Sequence, residues 1–322
     1  MSLRSSFLAV TCVLVWGVTV FGQGAAAPAA PEPPATDTVA LNIPGVVAGG
    51  TKVQAIRGDF NGTEGPVHLP DGSIIFTESA AKRLTRIDKD DKVSTFLDNV
   101  TASGLGFDKN GRLIAAISAA DHEGISIVYP KGSEKVLADK TSTGGLNRGN
   151  DVTIDRNGGI YYTILDAQTV MYIRPDGKIT KAAENITRPN GIILSPDDKI
   201  LYVNGARGEY VLTYDVQADG TLTNRRNFAK YDRTDPLTEG PFKLTSGADG
   251  LIVDNDGRIY VAGLNGVVVY SAKGEHLGTI PVSRRPQNLA FGGPDNKTLY
   301  IVGRGAVYKL RMLAQGLKSR PR

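Results

Sequence analysis

A turn followed by a short β-rich run recurs six times along the chain, and this repeat limits the fold more than any other feature. Each copy joins a turn rich in Asp, Asn and Gly to a run of aliphatic and aromatic residues, as in residues 70–76 and 255–261. Asp-Gly and Asn-Gly pairs tolerate the positive φ of tight hairpin turns, so each copy predicts a β-hairpin. No long segment has the apolar spacing of an amphipathic helix. The sequence therefore predicts an all-β fold.

The spacing of the copies indicates which all-β fold this is. Most copies continue into a second strand pair, which makes about four strands per copy, and the copies recur at roughly the 40 to 50 residues typical of propeller blades. We therefore predict a six-bladed β-propeller with a metal site in its central channel. A pair of β-sandwiches is the structural alternative that the pattern leaves open.

The N-terminal segment has the pattern of a secretory signal peptide. Arg4 precedes an apolar run over residues 7–21, and small residues suited to cleavage follow. The run is shorter than the roughly 20 residues that span a bilayer, although an uncleaved anchor remains an alternative. We predict a signal peptide over 1–27, a Pro/Ala-rich spacer over 28–41, the propeller over 42–313 and a basic tail over 314–322. The protein is then expected to be secreted or periplasmic.

Composition narrows the range of partners. The net charge of +4 is spread over 322 residues, and only the short C-terminal tail is densely basic, so a nucleic-acid partner is not expected. The single cysteine, Cys12, lies in the predicted leader, so the mature fold would have no disulfide. We expect a small-molecule ligand, no membrane contact after cleavage, and a monomer or homodimer.

The repeat places six polar positions in phase. The innermost strands of a propeller surround the channel, so equivalent residues on those strands face one another. Counting back eight residues from each turn glycine, or from Asp198 and Asn296 where the turn is one residue longer, selects six positions. They are Glu64, Ser103, Asn150, Asn190, Asp249 and Asn288. Because each precedes an aliphatic run, we expect all six at one end of the channel.

The chemistry of this set predicts a divalent cation. Every member offers an oxygen atom, and Glu64 and Asp249 are carboxylates that would repel each other in a desolvated channel. Carboxylate and amide oxygens favour Ca²⁺ first, then Mg²⁺ or Mn²⁺. Zn²⁺ is a weaker alternative, because none of the three histidines falls on the ring. Arg148 and Arg188, each two residues before a ring asparagine, are candidates to hold an anionic or hydroxyl-rich ligand, or are surface loop arginines.

Four segments resemble the signature segments of the SMP-30/gluconolactonase/LRE-like family: residues 63–67, 147–151, 188–191 and 246–250. The resemblance covers nearly the whole body of the chain, from about residue 62 to 303. It implies a six-bladed propeller with a divalent metal in the channel. It also implies hydrolysis of sugar lactones, or of other esters or organophosphates. Strictosidine-synthase-like propellers are a related alternative.

The resemblance also implies roles for individual residues. Glu64, Asn190 and Asp249 are similar to metal ligands of the family. Asn150 resembles the asparagine that either ligates the metal or orients its bound water and the substrate. Arg148 is similar to the arginine that contacts substrate hydroxyls in the sugar-lactonase branch.

The two remaining ring members, Ser103 and Asn288, are predicted to contact substrate. His68, Ser103 and residues 118–123 differ from the residues usual at the channel mouth in the family, so the resemblance leaves the lactone substrate open.

These residues suggest a hydrolase in which Asp249 acts as general base toward a water at the metal. No Gly-X-Ser-X-Gly motif is present, so a serine nucleophile has no support. The alternatives are a non-catalytic ligand- or partner-binding propeller with a structural calcium, and a metal-assisted phosphotriester hydrolase.

Overall fold

The six repeat copies form equivalent tight turns in the structure, a computed structural model that describes residues 31–119, 122–145, 148–238 and 243–317. In the first copy, Gly72 donates its backbone N–H to the carbonyl of Leu69 (2.9 Å), and in the fourth, Asp198 donates to Ser195 (3.0 Å). The donor has a positive φ in every copy: Gly72, Gly111, Gly158, Asp198, Gly257 and Asn296. Asp198 and Asn296 thus occupy the conformation of the turn glycine, so they share its place in the repeat.

Each turn joins the two innermost strands of an antiparallel sheet, which we call a blade. Blade 1 contains Thr63–His68, Ile74–Glu78, Arg83–Ile87 and Val93–Asp98, from the inner to the outer strand. Blade 2 contains Ala102–Phe107, Leu113–Ser118, Glu123–Tyr129 and Lys135–Asp139. Blade 3 contains Val152–Ile154, Ile160–Ile164, Thr169–Ile173 and Ile179–Ala183.

The second half of the chain repeats this arrangement. Blade 4 contains Pro189–Leu194, Ile200–Gly205, Tyr210–Val216 and Leu222–Lys230. Blade 5 contains Leu251–Val253, Ile259–Ala262, Val267–Tyr270 and His276–Ile280. Blade 6 contains Asn288–Gly292, Thr298–Gly303, Ala306–Arg311, Lys52–Arg57 and Thr38–Val39. A two-stranded ribbon, Asp235–Pro236 with Leu244–Thr245, precedes blade 5. The only helical element among the described residues is the 3₁₀ turn Ser79–Ala81.

The inner strands of successive blades contact one another, and the inner strand of blade 6 contacts that of blade 1. These contacts close the six sheets into a ring around a central channel, which confirms the predicted six-bladed propeller. The described residues contain no helix that is both long and apolar enough to cross a membrane.

The hydrophobic core lies between blades. Each sheet is covered on both faces by its neighbours, so its strands are apolar on both sides. Ile193 and Tyr202 of blade 4 pack with Leu251 of blade 5 in one buried cluster. The ring of Tyr260 meets the ring of Phe291 in the next blade edge-on, with centroids 5.3 Å apart. The core is thus a series of apolar layers that fix the angle between neighbouring blades.

The two ends of the described chain are part of the folded domain. Thr38–Val39 pairs with Lys52–Arg57, and Ala40 is buried, within the range predicted as a spacer. Ala314 and Leu317 are buried within the range predicted as a basic tail. These apolar residues belong to buried clusters that also contain residues of blades 5 and 6, and the bounds 42–313 stay a prediction. The predicted signal peptide and residues 318–322 lie outside the described residues.

Candidate functional site

The six in-phase positions begin the inner strands of the six blades. Glu64, Ser103 and Asn190 are the second residues of their strands, and Asn288 is the first residue of its strand. Asn150 and Asp249 lie two residues before theirs. All six therefore lie at one end of the channel, as the sequence predicts.

Close backbone contacts join the ring members of blades 1, 2 and 3. A Cβ atom on Gly65, the residue after Glu64, would lie 2.0 Å from the carbonyl oxygen of Ser103. The hydroxyl of Ser103 donates to the carbonyl of Asn150 (2.6 Å). Ser103 therefore holds the neighbouring ring member in place, in addition to the substrate contact predicted for it.

The ring continues through blades 4 and 5 in the same way. The buried hydroxyl of Thr163 in blade 3 donates to the carbonyl of Asn190 (2.6 Å). Gly191 donates its N–H to the carbonyl of Asp249 (3.0 Å). The buried side chain of Asn204 in blade 4 donates to that same carbonyl (2.8 Å). The backbone at Asp249 is thereby fixed by two donors from the preceding blade.

Blade 6 closes the ring against Glu64. The amide of Asn288 donates to one oxygen of Glu64 (3.2 Å), and the amide of Gln287 donates to the other (3.2 Å). The carbonyl oxygen of the Asn288 side chain accepts the N–H of Leu289 (2.9 Å), and Asn288 is 2% exposed. Both polar atoms of its side chain are therefore engaged within the protein. Asn288 therefore orients Glu64, and its predicted contact with substrate stays a prediction.

Asp249 lies close to a second carboxylate of the ring, Glu64. Burial raises the pKa of Asp249 well above its usual range, the negative charge of Glu64 adds to this shift, and the guanidinium of Arg285 opposes it. Two carboxylates therefore share a poorly hydrated space, and their repulsion disfavours the doubly ionised state. A divalent cation between them would remove that repulsion.

The donor set fits a hard divalent cation. Among the described residues, no hydrogen bond engages the carboxylate of Asp249 or the side-chain amides of Asn150 and Asn190, so their oxygens remain available. Within the described ranges, no group of three or more His, Cys, Asp or Glu side chains is arranged so that it could hold a metal ion by itself. Such a set relies on amide oxygens beside two carboxylates, which are ligands that Ca²⁺ and Mg²⁺ accept.

Arg148 and Arg188 line one cavity of about 390 Å³ at the same end of the propeller. Arg148 is exposed, and Arg188 donates to Asp166 (3.3 Å). The cavity wall also includes Ile164 and Leu165. The structure thus brings the two arginines to the wall of one cavity, and each lies two residues before a ring asparagine in the chain.

The repeat pattern does not identify several residues of the site. Asn204 and Gln287 hold ring members, and the carboxylate of Asp151 accepts the N–H of Ile192 in the next blade (3.4 Å). Arg285 donates to the carbonyl of Gly247 (2.8 Å), two residues before Asp249. One sequence signal for Arg285 exists: Arg-Pro precedes the ring asparagine at both 188–189 and 285–286.

Comparison with known proteins finds lactone-hydrolysing enzymes among the relatives of this chain. A gluconolactonase of Zymomonas mobilis is 24% identical over 298 residues, which cover 81% of each chain. A pentonolactonase of Haloferax volcanii is 26% identical over 253 residues, which cover 75% of this chain and 81% of the relative. Among solved structures, a gluconolactonase of Xanthomonas campestris superimposes with a TM-score of 0.71 at 22% identity, covering 88% of this chain and 99% of the other.

A regucalcin of Agrobacterium tumefaciens, described as a calcium-binding protein, superimposes with a TM-score of 0.65 at 20% identity, covering 81% of this chain and 93% of the other. The model of the SMP-30/gluconolactonase/LRE-like region matches residues 62–304, which span all six ring positions. The chain therefore belongs to the SMP-30/gluconolactonase/LRE-like family.

Proposed function

We propose that this protein opens a lactone ring, of a sugar lactone or a similar ester, by hydrolysis at the ring end of its central channel. The observation that carries the proposal is the convergence of Glu64, Asn190 and Asp249 at one end of the channel. Membership of the family and the gluconolactonase and pentonolactonase relatives support the same reaction. Because the N-terminal segment is predicted to be a signal peptide, we propose that the reaction takes place outside the cytoplasm.

We infer that Glu64, Asn190 and Asp249, with Asn150, hold a divalent cation, with Ca²⁺ preferred. When bound, such an ion would polarise the lactone carbonyl and lower the pKa of a nearby water. The regucalcin neighbour, described as calcium-binding, agrees with this choice. Hydrogen bonds from Gln287 and Asn288 orient both carboxylate oxygens of Glu64, so this side chain needs little reorganisation when a cation binds.

The remaining steps belong to the side chains of the ring. In this proposal, the carboxylate of Asp249 accepts the proton of the attacking water. Its backbone is fixed by Asn204 and Gly191, which keeps the base at a constant place. Asn150 and Arg148 hold the oxygens of the lactone and stabilise the developing negative charge.

The test uses the purified full-length chain, stripped of metal with a chelator and then supplied with Ca²⁺, Mg²⁺, Mn²⁺ or Zn²⁺ separately. Gluconolactone, a pentonolactone and an aryl ester are offered in parallel. We expect hydrolysis of a lactone that metal restores and that falls about 100-fold or more in Asp249→Asn. Asp176→Asn, in an exposed outer turn, removes one carboxylate as the matched control.

Full activity in Asp249→Asn would contradict the mechanism. An absence of turnover with every metal, together with a Ca²⁺-dependent rise in melting temperature, would replace the proposal by a ligand-binding propeller with a structural calcium.

A further inference from the structure

A cavity of about 710 Å³ lies between blades 1 and 2, at the end of the propeller that carries the six turns. His68 and Phe107, the last residues of the inner strands of these two blades, both line it. Because Glu64 and Ser103 lie at the start of the same two strands, the cavity is at the opposite end of the propeller from the ring. His68 therefore does not lie at the channel mouth, where the resemblance places it.

Accessible aromatic side chains are concentrated in this cavity. Within the described part of the chain, the Phe and Tyr residues that are not buried are Phe96, Phe107, Tyr129, Tyr210 and Phe228. The first three of them line the cavity. The rings of Phe96 and Tyr129 have centroids 5.1 Å apart, and Tyr129 is 38% exposed. The cavity thus presents aromatic surface that the hydrophobic core does not cover.

The acidic residues of the cavity wall are neutralised by neighbouring arginines. Asp71 forms an ion pair with Arg86, and Asp108 forms one with Arg112 (2.7 Å). Lys109 also lines the cavity, but it is exposed, so water and salt screen its charge. The wall therefore favours a ligand without net charge.

His68 carries a polar atom that the fold leaves unpaired. Its Nδ1 is buried and has no hydrogen-bond partner among the described residues, which is costly in a folded protein. Burial lowers the pKa of His68, so its ring is uncharged at neutral pH and has one donor and one acceptor nitrogen. Because a hydroxyl group can donate or accept, it suits Nδ1 in either tautomer.

A hexopyranose ring satisfies both requirements of this cavity. One face of the ring consists of C–H groups that pack against aromatic side chains, and its edge carries hydroxyls for polar partners. The half-exposed carboxylate of Asp71, which accepts bonds from Ser73 and Arg86, has a further acceptor site for such a hydroxyl. A purely apolar ligand would leave Nδ1 of His68 unpaired, and an anionic ligand would face Asp71.

We propose that the cavity lined by Phe96, Phe107 and Tyr129 is a carbohydrate-binding site that takes a neutral hexopyranose unit of an oligosaccharide. The aromatic rings supply the contact area, and His68 and Asp71 orient the hydroxyls. This site is separate from the channel and does not rest on the proposed function.

The binding test titrates maltohexaose, cellohexaose, mannohexaose and N-acetylchitohexaose into the full-length chain by calorimetry. We expect at least one to bind with a Kd below about 1 mM. Tyr129→Ala should weaken it about 10-fold and Tyr129→Phe less than about 3-fold, because the ring makes the contact. Tyr210→Ala, at the start of the third strand of blade 4, is the matched control. Absence of binding by all four sugars, or equal affinity in wild type and Tyr129→Ala, would overturn the site.

The variant Asp249→Asn separates this site from the channel. Since the ring lies at the other end of the propeller, this variant should bind the hexasaccharide as tightly as the wild type does. Binding that depends on Asp249 and not on Tyr129 would place the sugar in the channel and refute the proposal. Binding that depends on Tyr129 while no lactone is hydrolysed would support this site and remove the lactonase proposal.

Nitrogen-15 NMR of the histidine rings locates the ligand independently. The chain has three histidines, His68, His122 and His276, and their signals are assigned with His122→Gln and His276→Gln. His122 lines a different cavity, of about 510 Å³. We expect the bound hexasaccharide to shift the ring signals of His68 and to leave those of the other two unchanged. A shift of His122 in place of His68 would put the ligand in the other cavity and contradict the assignment.

Discussion

At the scale of single residues, buried polar side chains stabilise the ring, because each donates a hydrogen bond to the backbone of the following blade. Asn204 shows the arrangement most fully. Its amide donates to the carbonyl of Asp249, and its own oxygen accepts the hydroxyl of Tyr231 (3.1 Å), which in turn accepts the N–H of Gly205 (3.2 Å). The position of Asp249 therefore depends, through Asn204, on the buried hydroxyl of Tyr231.

We expect Tyr231→Phe to lower the free energy of unfolding by about 1–3 kcal/mol, because it leaves two buried polar groups without a partner. Tyr214→Phe is the matched control, since the hydroxyl of Tyr214 is buried with no partner among the described residues. That variant should change stability by less than about 0.5 kcal/mol. Urea unfolding measures both, and equal losses would contradict the assigned role of the hydroxyl.

Glu78 gives the protein one defined source of acid sensitivity. Its side chain is fully buried in blade 1, where burial opposes ionisation. Hydrogen bonds from Arg83 (2.7 Å), Thr85 and the N–H of Asn61 outweigh that effect and lower the pKa of Glu78. Because the folded pKa lies below the unfolded one, the ionised form stabilises the fold above the ordinary value of 4.5. That contribution is lost as the pH falls through the folded pKa.

We therefore expect unfolding free energy to decrease with falling pH below about 4.5, and Glu78→Gln to make this decrease shallower. Glu184→Gln removes an exposed carboxylate that pairs with Lys181, and should leave the slope close to that of the wild type. Unfolding curves at a series of pH values provide the measurement. Identical slopes in wild type and Glu78→Gln would refute the assignment.

At the scale of strands, the ring depends on how closely inner strands approach each other. Glu64, Ser103, Asn190 and Asp249 are each followed by glycine, and each of these glycines abuts backbone or side chain of the neighbouring ring position. The sequence could predict the turns and the ring, because glycine, Asp and Asn mark both in the same phase. It could not predict Asn204 or Gln287, whose partners lie on adjacent blades and follow no common spacing.

We expect Gly65→Ala to destabilise the fold far more than Gly111→Ala. Both glycines have positive φ, but a Cβ on Gly65 would lie 2.0 Å from Ser103, whereas one on Gly111 would meet nothing within 4 Å. Gly111→Ala should cost about 1–2 kcal/mol from backbone strain alone. Circular dichroism and urea unfolding compare the two variants. Similar stability in both would mean that the inner strands can separate without penalty.

At the scale of the whole molecule, an N-terminal strand completes blade 6, the last blade of the ring, and the repeat does not predict this strand. The strand Lys52–Arg57 precedes the first of the six turn copies. The sequence therefore assigned these residues to the propeller without predicting the strand that they form. Arg284 fixes this segment by donating to the carbonyls of Pro33 (2.6 Å), Gly58 (2.7 Å) and Arg304 (2.9 Å). One guanidinium thus joins three separate parts of the chain.

We expect Arg284→Met to lower the free energy of unfolding by about 1–3 kcal/mol, because three carbonyls lose a charged donor. In this variant, the rate of amide hydrogen exchange should increase more over residues 33–58 than in blades 2 to 4. Arg311→Met is the control, since Arg311 pairs with Asp295 on the exposed surface. Uniform exchange rates across all blades in Arg284→Met would show that the closure does not depend on this contact.

The closure also sets the order in which the molecule can be completed. Thr38 bonds the carbonyl of Pro281, 243 residues further along the chain, and Lys52–Arg57 pairs with Ala306–Arg311. A strand made near the start of synthesis therefore has no sheet to join until nearly all of the chain has emerged from the ribosome. Until then it presents an unpaired edge, which favours aggregation or chaperone binding. Folding of this protein is thus expected to finish after synthesis, in a late step limited by the meeting of distant segments.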